Sequence, residues 1–173
     1  LAADALGKRD AFSRQALRGV VHYETDNAAH RFGVTNFVSE NDDIEANQLA
    51  GQREASRQKF DYFGTLSLSD NVRLVAGAES VSAEYENTDA VYTFEKREVD
   101  SDAVFALAAF ALDDSHITVA ARHDDHELFG SHASYRATLA HRLADMVSAR
   151  LAYGTGFKAP SLFELYASST GNP

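Results

Sequence analysis

The sequence predicts an all-β protein, an antiparallel meander of about eight long strands within a transmembrane β-barrel. Three observations lead to this prediction: apolar and polar residues alternate, short and long connections alternate, and the polar strand faces carry many charges. Strict alternation is typical of strands that have one apolar and one polar face, and a helix would not produce it.

Composition narrows the classes to which this chain can belong. Its 173 residues contain no cysteine, which excludes a disulfide scaffold, a thiolate metal site and a cysteine nucleophile. The net charge of −10 argues against a nucleic-acid partner, because such binding depends on Lys and Arg neutralising phosphates. The longest uncharged apolar run, residues 103–112, is too short for a membrane helix of about 20 residues but suits a transmembrane strand of about 9–11.

The first half of the chain predicts four strands, at residues 17–25, 30–39, 55–68 and 72–85. In the first of them Val21 and Tyr23 alternate with His22 and Glu24. The fourth changes phase near Gly77, which predicts a β-bulge. The third alternates most clearly, and its apolar side consists of Phe60, Tyr62, Leu66 and Leu68.

The second half predicts four more strands, at residues 99–112, 116–125, 132–143 and 147–157. The fifth is apolar on both faces, whereas the sixth alternates from Ile117 to Arg122. The seventh places Ala133, Tyr135, Ala137, Leu139 and Leu143 on one face. The eighth repeats this pattern with Val147, Ala149, Leu151, Tyr153 and Phe157.

The connections between these strands differ in length in a regular way. Short turns are predicted at residues 26–29, 69–71, 113–115 and 144–146, and longer loops at 40–54, 86–98, 126–131 and after Lys158. An antiparallel meander places every second connection on the same side, so one side would carry the turns and the other the loops. Outer-membrane barrels have this asymmetry, with short periplasmic turns and longer extracellular loops.

The charges on the polar strand faces indicate which face meets lipid. A small closed barrel could not bury so many charged side chains, whereas a wide, water-filled or plugged lumen can accommodate them. We therefore expect Ala137, Leu139, Leu151 and Tyr153 to point outwards. The polar set expected to point into the lumen is Arg57, Lys59, Asp61, Arg122, Arg136, Arg142 and Arg150.

The end of the last predicted strand resembles a known family. Residues 153–166 are similar to the strand-to-loop signature of TonB-dependent outer-membrane receptors, and residues 121–130 to the family's Arg-x-Asp strand end and Phe-Gly loop. The closest resemblance is to receptors of the cobalamin and siderophore type. The residues that match the signature are Gly156, Phe157, Lys158, Ala159, Pro160, Ser161, Leu162, Glu164, Leu165 and Tyr166.

This resemblance implies a barrel of about 22 strands in the outer membrane of a Gram-negative bacterium, filled by a plug domain and driven by the TonB energy-transducing complex. We expect residues 1–173 to form an internal part of that barrel, with the plug and the TonB box outside this chain. The implied function is active uptake of a scarce large nutrient, such as an iron-siderophore, haem or cobalamin. The implied ligand-binding regions are the loops 40–54, 86–98, 126–131 and 158–173.

Two other functions compete with uptake. A passive porin-like or structural barrel would lack a plug, and an outer-membrane enzyme would need a catalytic set, for which no residue spacing is found. We therefore expect no enzymatic activity and no catalytic residues.

Metal ligands are sparse in the sequence. His123 and His126 fall on opposite faces of a strand and cannot ligate one ion together. Asp42, Asp43 and Glu45 are weak calcium candidates, with solubilising loop charge as the simpler interpretation. No other cofactor is expected.

Overall fold

The computed structural model describes residues 7–89 and 94–160. Its strands are β1 (Lys8–Glu24), β2 (Ala28–Glu45), β3 (Gln48–Ser69), β4 (Val72–Asp89), β5 (Phe94–Leu112), β6 (Ser115–His126), β7 (Gly130–Ala144) and β8 (Val147–Gly154). They form one antiparallel sheet in which each strand pairs with the next along the chain. The predicted all-β meander of eight strands is therefore confirmed. No helix in this part of the chain is long and apolar enough to cross a membrane.

The short connections lie together at one end of the sheet, as predicted, and this end is termed the turn end. Backbone hydrogen bonds join each turn to the next hairpin. The amide of Ser67 donates to the carbonyl of Asn27, and the amide of Ala111 donates to the carbonyl of Asn71; the N···O distance is 2.8 Å in both bonds. The same bond, from Arg142 to Asp114, joins the third turn to the fourth hairpin.

At the opposite end of the sheet, termed the far end, the structure differs from the loops predicted from the sequence. Residues 40–54 and 86–98 belong largely to strands, because β2 and β3 continue to a two-residue turn and β4 and β5 extend well beyond their predicted ends. Ala46 and Asn47 form that turn with φ of 48° and 61°, as expected for a tight hairpin. The predicted loop 126–131 is a turn between His126 and Gly130. Alternation does not reveal these strand ends because both of their faces are polar, although the backbone ladder continues.

The two faces of the sheet differ as predicted. The buried residues that the structure shows all lie on one face, termed the concave face: Gly33, Gly51, Asp61, Tyr85, Val99 and Ala103. The register also places Arg136, Arg142 and Arg150 on it. On the other, convex face Leu139 lies opposite Leu151 and Ala137 opposite Tyr153, and the large side chains of this set are exposed. The predicted division of these apolar and charged residues between the two faces is confirmed.

The bulge predicted at Gly77 is wrong. Pairing runs without a shift from Phe63 through Gly77 to Phe105, and the register of β4 shifts at its ends instead. A Cβ atom on Gly77 would lie 2.2 Å from Cζ of Phe105 and 2.6 Å from the carbonyl oxygen of Tyr62. Gly77 therefore leaves room for the Phe105 ring on the concave face.

The convex face changes character towards the far end, where it is acidic. Glu40 lies opposite Glu54 on β2 and β3, and Glu54 lies opposite Glu86 on β4. Close to this row, Lys96 forms an ion pair with Glu84 at 2.8 Å. The hydrogen bond between them lowers the pKa of Glu84 and raises the pKa of Lys96. One lysine thus offsets part of a strongly negative surface.

Candidate functional site

The concave face encloses a cavity of about 930 Å³. Its walls come from β1 to β6, and the segment after β8 contributes Ala159 and Pro160. Period-two alternation explains why charged residues line it, since each strand turns its polar side to this face. The site is therefore a cavity lined by charged residues from segments that are far apart in the sequence.

A row of carboxylates crosses the middle of the concave face. Asp61 on β3 lies opposite Glu79 on β4, and Glu79 and Asp124 lie on either side of Ala103. Cations approach this row from both directions. Arg18 and Lys59 stand one concave-face position towards the far end, and Arg31 and Arg122 one position towards the turn end.

Asp61 is the most enclosed member of this row, with 1 % of its side chain exposed. Arg18 approaches its carboxylate to 3.2 Å and Arg31 to 3.6 Å. Gly33 lies directly opposite Asp61, and a Cβ atom on Gly33 would be 2.8 Å from both carboxylate oxygens. A buried carboxylate needs partners, and here two arginines provide them while the missing side chain leaves the space.

Glu79 is the centre of a second cluster of ion pairs in the row. Its carboxylate accepts a hydrogen bond from Nζ of Lys59 at 2.5 Å and another from Arg122 at 2.9 Å. Arg122 in turn donates through Nε to Asp124 at 2.8 Å. Three carboxylates and four cations therefore form two neighbouring clusters, Arg18–Asp61–Arg31 and Lys59–Glu79–Arg122–Asp124, together termed the ion-pair ladder.

The cavity continues beyond the ladder towards the far end, where its character changes. Arginines and aromatic rings become the main side chains on the concave face there. Arg53 forms an ion pair with Asp43 at 2.7 Å, and the guanidinium of Arg14 lies 4.3 Å from the ring centroid of Phe12. This part, termed the arginine pocket, is lined by Phe12, Arg14, Phe37, Arg53, Arg57 and Tyr85.

The signature segment leaves the sheet earlier than predicted. β8 ends at Gly154. The next residue, Thr155, forms two hydrogen bonds with the backbone of Tyr135: its amide donates to the Tyr135 carbonyl at 2.9 Å, and its Oγ1 accepts from the Tyr135 amide at 3.0 Å. Phe157 then stacks on His132, with centroids 3.7 Å apart. Because His132 lies in the carboxylate row, Phe157 covers the concave face, and its predicted place on the apolar face is wrong.

The remaining signature residues divide into two groups. Gly156 has open space around its Cα, Lys158 is exposed, and Ala159 and Pro160 line the cavity. Beyond Pro160 the signature lies outside the described residues. It comprises Ser161, Leu162, Glu164, Leu165 and Tyr166, and most of the predicted loop 158–173.

The calcium candidates are not brought together. Asp42 and Asp43 alternate onto opposite faces of β2, Asp43 contacts Arg53, and Glu45 contacts Lys8. Within residues 7–89 and 94–160 no three His, Asp or Glu side chains converge as a metal site requires. Calcium binding at these residues stays a prediction.

Several residues of the site are not singled out by the sequence patterns. Arg14, Arg31, Arg53 and Glu79 belong to the ladder or the pocket. Counting every second residue back from Asp61 along β3 would have found Arg53. Arg14 lies outside the predicted strands because the first strand begins at Lys8, nine residues before its predicted start.

Comparison with known proteins extends these observations. Residues 3–173 match the family model described as TonB dependent receptor-like, beta-barrel. The chain is 24% identical over 173 residues to the vitamin B12 transporter BtuB of Photobacterium profundum, covering 98% of this chain and 28% of that protein. It is 26% identical over 161 residues to the vitamin B12 transporter BtuB of Vibrio vulnificus, and this match covers 91% of this chain and 26% of that protein. The chain thus spans about a quarter of the length of these curated relatives.

Proposed function

This chain belongs to the TonB-dependent receptor β-barrel family, and we propose that the protein containing it takes up a scarce large nutrient across the outer membrane of a Gram-negative bacterium. The observation that carries the proposal is the opposition of the two faces. An exposed apolar face backs onto a concave face that holds the ion-pair ladder and a large cavity. A membrane barrel with a polar lumen requires this arrangement.

The convex face supports contact with lipid. Leu139, Leu151 and Tyr153 are exposed there, in strands that pair side by side. Near the turn end, Tyr23 stacks on His30, Phe32 packs at a tilt against Tyr62, and the Tyr62 hydroxyl lies 2.9 Å from Nδ1 of His30. Aromatic residues with a polar tip are enriched at the two interfaces of a membrane, so this cluster fits the periplasmic interface.

The concave face supports a wide barrel. Its ladder needs either water or a polar domain in front of it, because charges in a closed apolar space are costly. We propose that a plug domain outside this chain faces the ladder and that the TonB complex drives its rearrangement. Uptake of this kind moves a ligand without making bonds, so no catalytic residues are required.

Cobalamin is the first ligand to test, since both relatives are vitamin B12 transporters. Iron-siderophores and haem are the other members of the proposed ligand class. A bacterial strain without its own cobalamin receptor would be complemented with the full-length protein, and entry of cobalt-labelled cyanocobalamin would be measured with and without TonB.

We expect accumulation that depends on TonB. Accumulation that is the same without TonB would instead indicate a passive porin-like channel. Failure with cyanocobalamin but TonB-dependent uptake of an iron-siderophore or haem would keep the transport function and change the ligand.

A further inference from the structure

We propose that Arg14 and Arg57 form an anion site on the concave face, which binds a phosphate or carboxylate group attached to a flat apolar moiety. The site lies at the far end, beyond the ion-pair ladder. It rests on the uptake function proposed above and adds to it the chemical class of group that the barrel wall holds.

The charges of the concave face are unevenly distributed. In the ladder each carboxylate has at least one cation within hydrogen-bond or ion-pair distance. The next three rows towards the far end cross β1 to β5 and contain no carboxylate among the described concave-face residues. These rows contain four arginines, Arg14, Arg53, Arg57 and Arg97. A chain of net charge −10 therefore concentrates positive charge on one wall of its cavity.

Among the described residues, Arg14 and Arg57 have no carboxylate partner. Arg53 is neutralised by Asp43. Arg57 forms neither an ion pair nor a hydrogen bond within residues 7–89 and 94–160, and Arg14 contacts only the Phe12 ring over the same ranges. Both side chains are accessible in the cavity, so an anion can reach them without displacing an existing partner.

Aromatic and apolar groups surround these two arginines. Phe37 lies directly opposite Arg57, and Tyr85 and Val99 are each 6% exposed at the floor of the same cavity. Guanidinium groups bind carboxylate and phosphate through paired, charge-assisted hydrogen bonds, and an apolar surround strengthens them by excluding water. A cavity of about 930 Å³ lies within the usual range for a small-molecule site. The combination fits an anionic group next to a flat apolar one.

The anionic group that binds to these arginines can come from two sources. The anion belongs either to a dissolved ligand or to an acidic side chain of another part of the receptor that enters the barrel. A probe-binding arm and a stability arm of one experiment separate these sources.

The probe is 1-naphthyl phosphate, with neutral 1-naphthol as its matched control. Binding to the full-length receptor in detergent would be measured by equilibrium dialysis. We expect Arg57→Gln to weaken binding of the phosphate about tenfold, the effect of one charge-assisted hydrogen bond, and to leave naphthol binding unchanged. The variant carrying both Arg14→Gln and Arg57→Gln should lose phosphate binding. Arg150→Gln, on the concave face but outside the cavity, should retain it.

In the stability arm, the thermal midpoints of Arg57→Gln and Arg150→Gln are compared with that of the unaltered receptor. If the unaltered receptor binds no phosphate probe but Arg57→Gln alone lowers the midpoint, an acidic side chain of the receptor itself occupies the site; the anion site then stands, and the attached flat apolar moiety is overturned. If phosphate binding and the midpoint respond equally to both substitutions, or to neither, the proposal is overturned. TonB-dependent uptake is measured separately, so that result would leave the proposed transport function intact.

Discussion

Gly33 lies directly opposite Asp61, and the absence of a side chain at Gly33 makes room for a carboxylate held between two arginines. The pair connects strand register to electrostatics, because only this alignment of β2 with β3 places a glycine beside the buried charge. The same alignment positions Glu79 on the next strand.

Substitution of Gly33 should therefore destabilise the barrel. Gly33→Ala would place Cβ 2.8 Å from both Asp61 carboxylate oxygens and displace the carboxylate from Arg18 and Arg31. We expect the free energy of unfolding of the full-length receptor to fall by about 1–3 kcal/mol, as for other overpacked sites. Gly19→Ala is the control, because no atom lies within 4 Å of its added Cβ. Equal effects of the two substitutions in urea unfolding would contradict this account.

An introduced charge should destabilise the protein on the convex face much more than on the concave face. Leu139 is on the convex face, and Thr138, its neighbour in β7, is on the concave face. Leu139→Arg should lower folding stability in lipid vesicles by about 2–4 kcal/mol near the bilayer midplane. Thr138→Arg should have little effect, because its guanidinium would reach the polar lumen. A larger loss for Thr138→Arg would reverse the assignment of the faces.

The stacking of Phe157 on His132 should hold the signature segment against the concave face. Phe157→Ala removes a ring contact with centroids 3.7 Å apart, and such pairs contribute about 0.5–1.5 kcal/mol. We expect faster amide hydrogen exchange in residues 155–159 and unchanged exchange in β7. Tyr153→Ala, on the convex face, is the control. A double-mutant cycle with His132→Ala should show coupling between the two rings, and additive effects would argue that the contact holds nothing.

The acidic row at the far end should be a source of instability. Glu54 lies between Glu40 and Glu86, and like charges directly opposite each other destabilise a sheet. Glu54→Gln should raise the free energy of unfolding by about 0.2–1 kcal/mol at low salt, and less at high salt because of screening. Glu45→Gln is the control and should give no gain, since it removes the contact with Lys8. An equal gain from both would show that overall charge, not the row, is responsible.

Most of the fold follows from local patterns in the chain. Alternation from Ala133 to Leu143 and from Val147 to Tyr153 predicts both the strands and their faces, because successive side chains of any strand point to opposite sides. The turns near Asp70 and Asp114 follow from breaks in that alternation. The pattern fails at the far end, where β2 to β5 leave the apolar band and both faces are polar. Their ladders continue without any apolar periodicity to reveal them.

The site depends on contacts between distant residues. The polar residues at alternate positions of β3 indicate that Lys59 and Asp61 share a face, but not that Glu79 will meet Lys59 and Arg122, which lie 20 and 43 residues away from it. Those partners are decided by the register of each hairpin, and register is a property of pairs of strands. In the same way, the turn of Phe157 onto His132 depends on the bonds between Thr155 and Tyr135. The sequence alone thus determined which residues share the concave face, whereas the tertiary structure decided which of them touch, because side-chain direction is set within a strand and contact is set between strands.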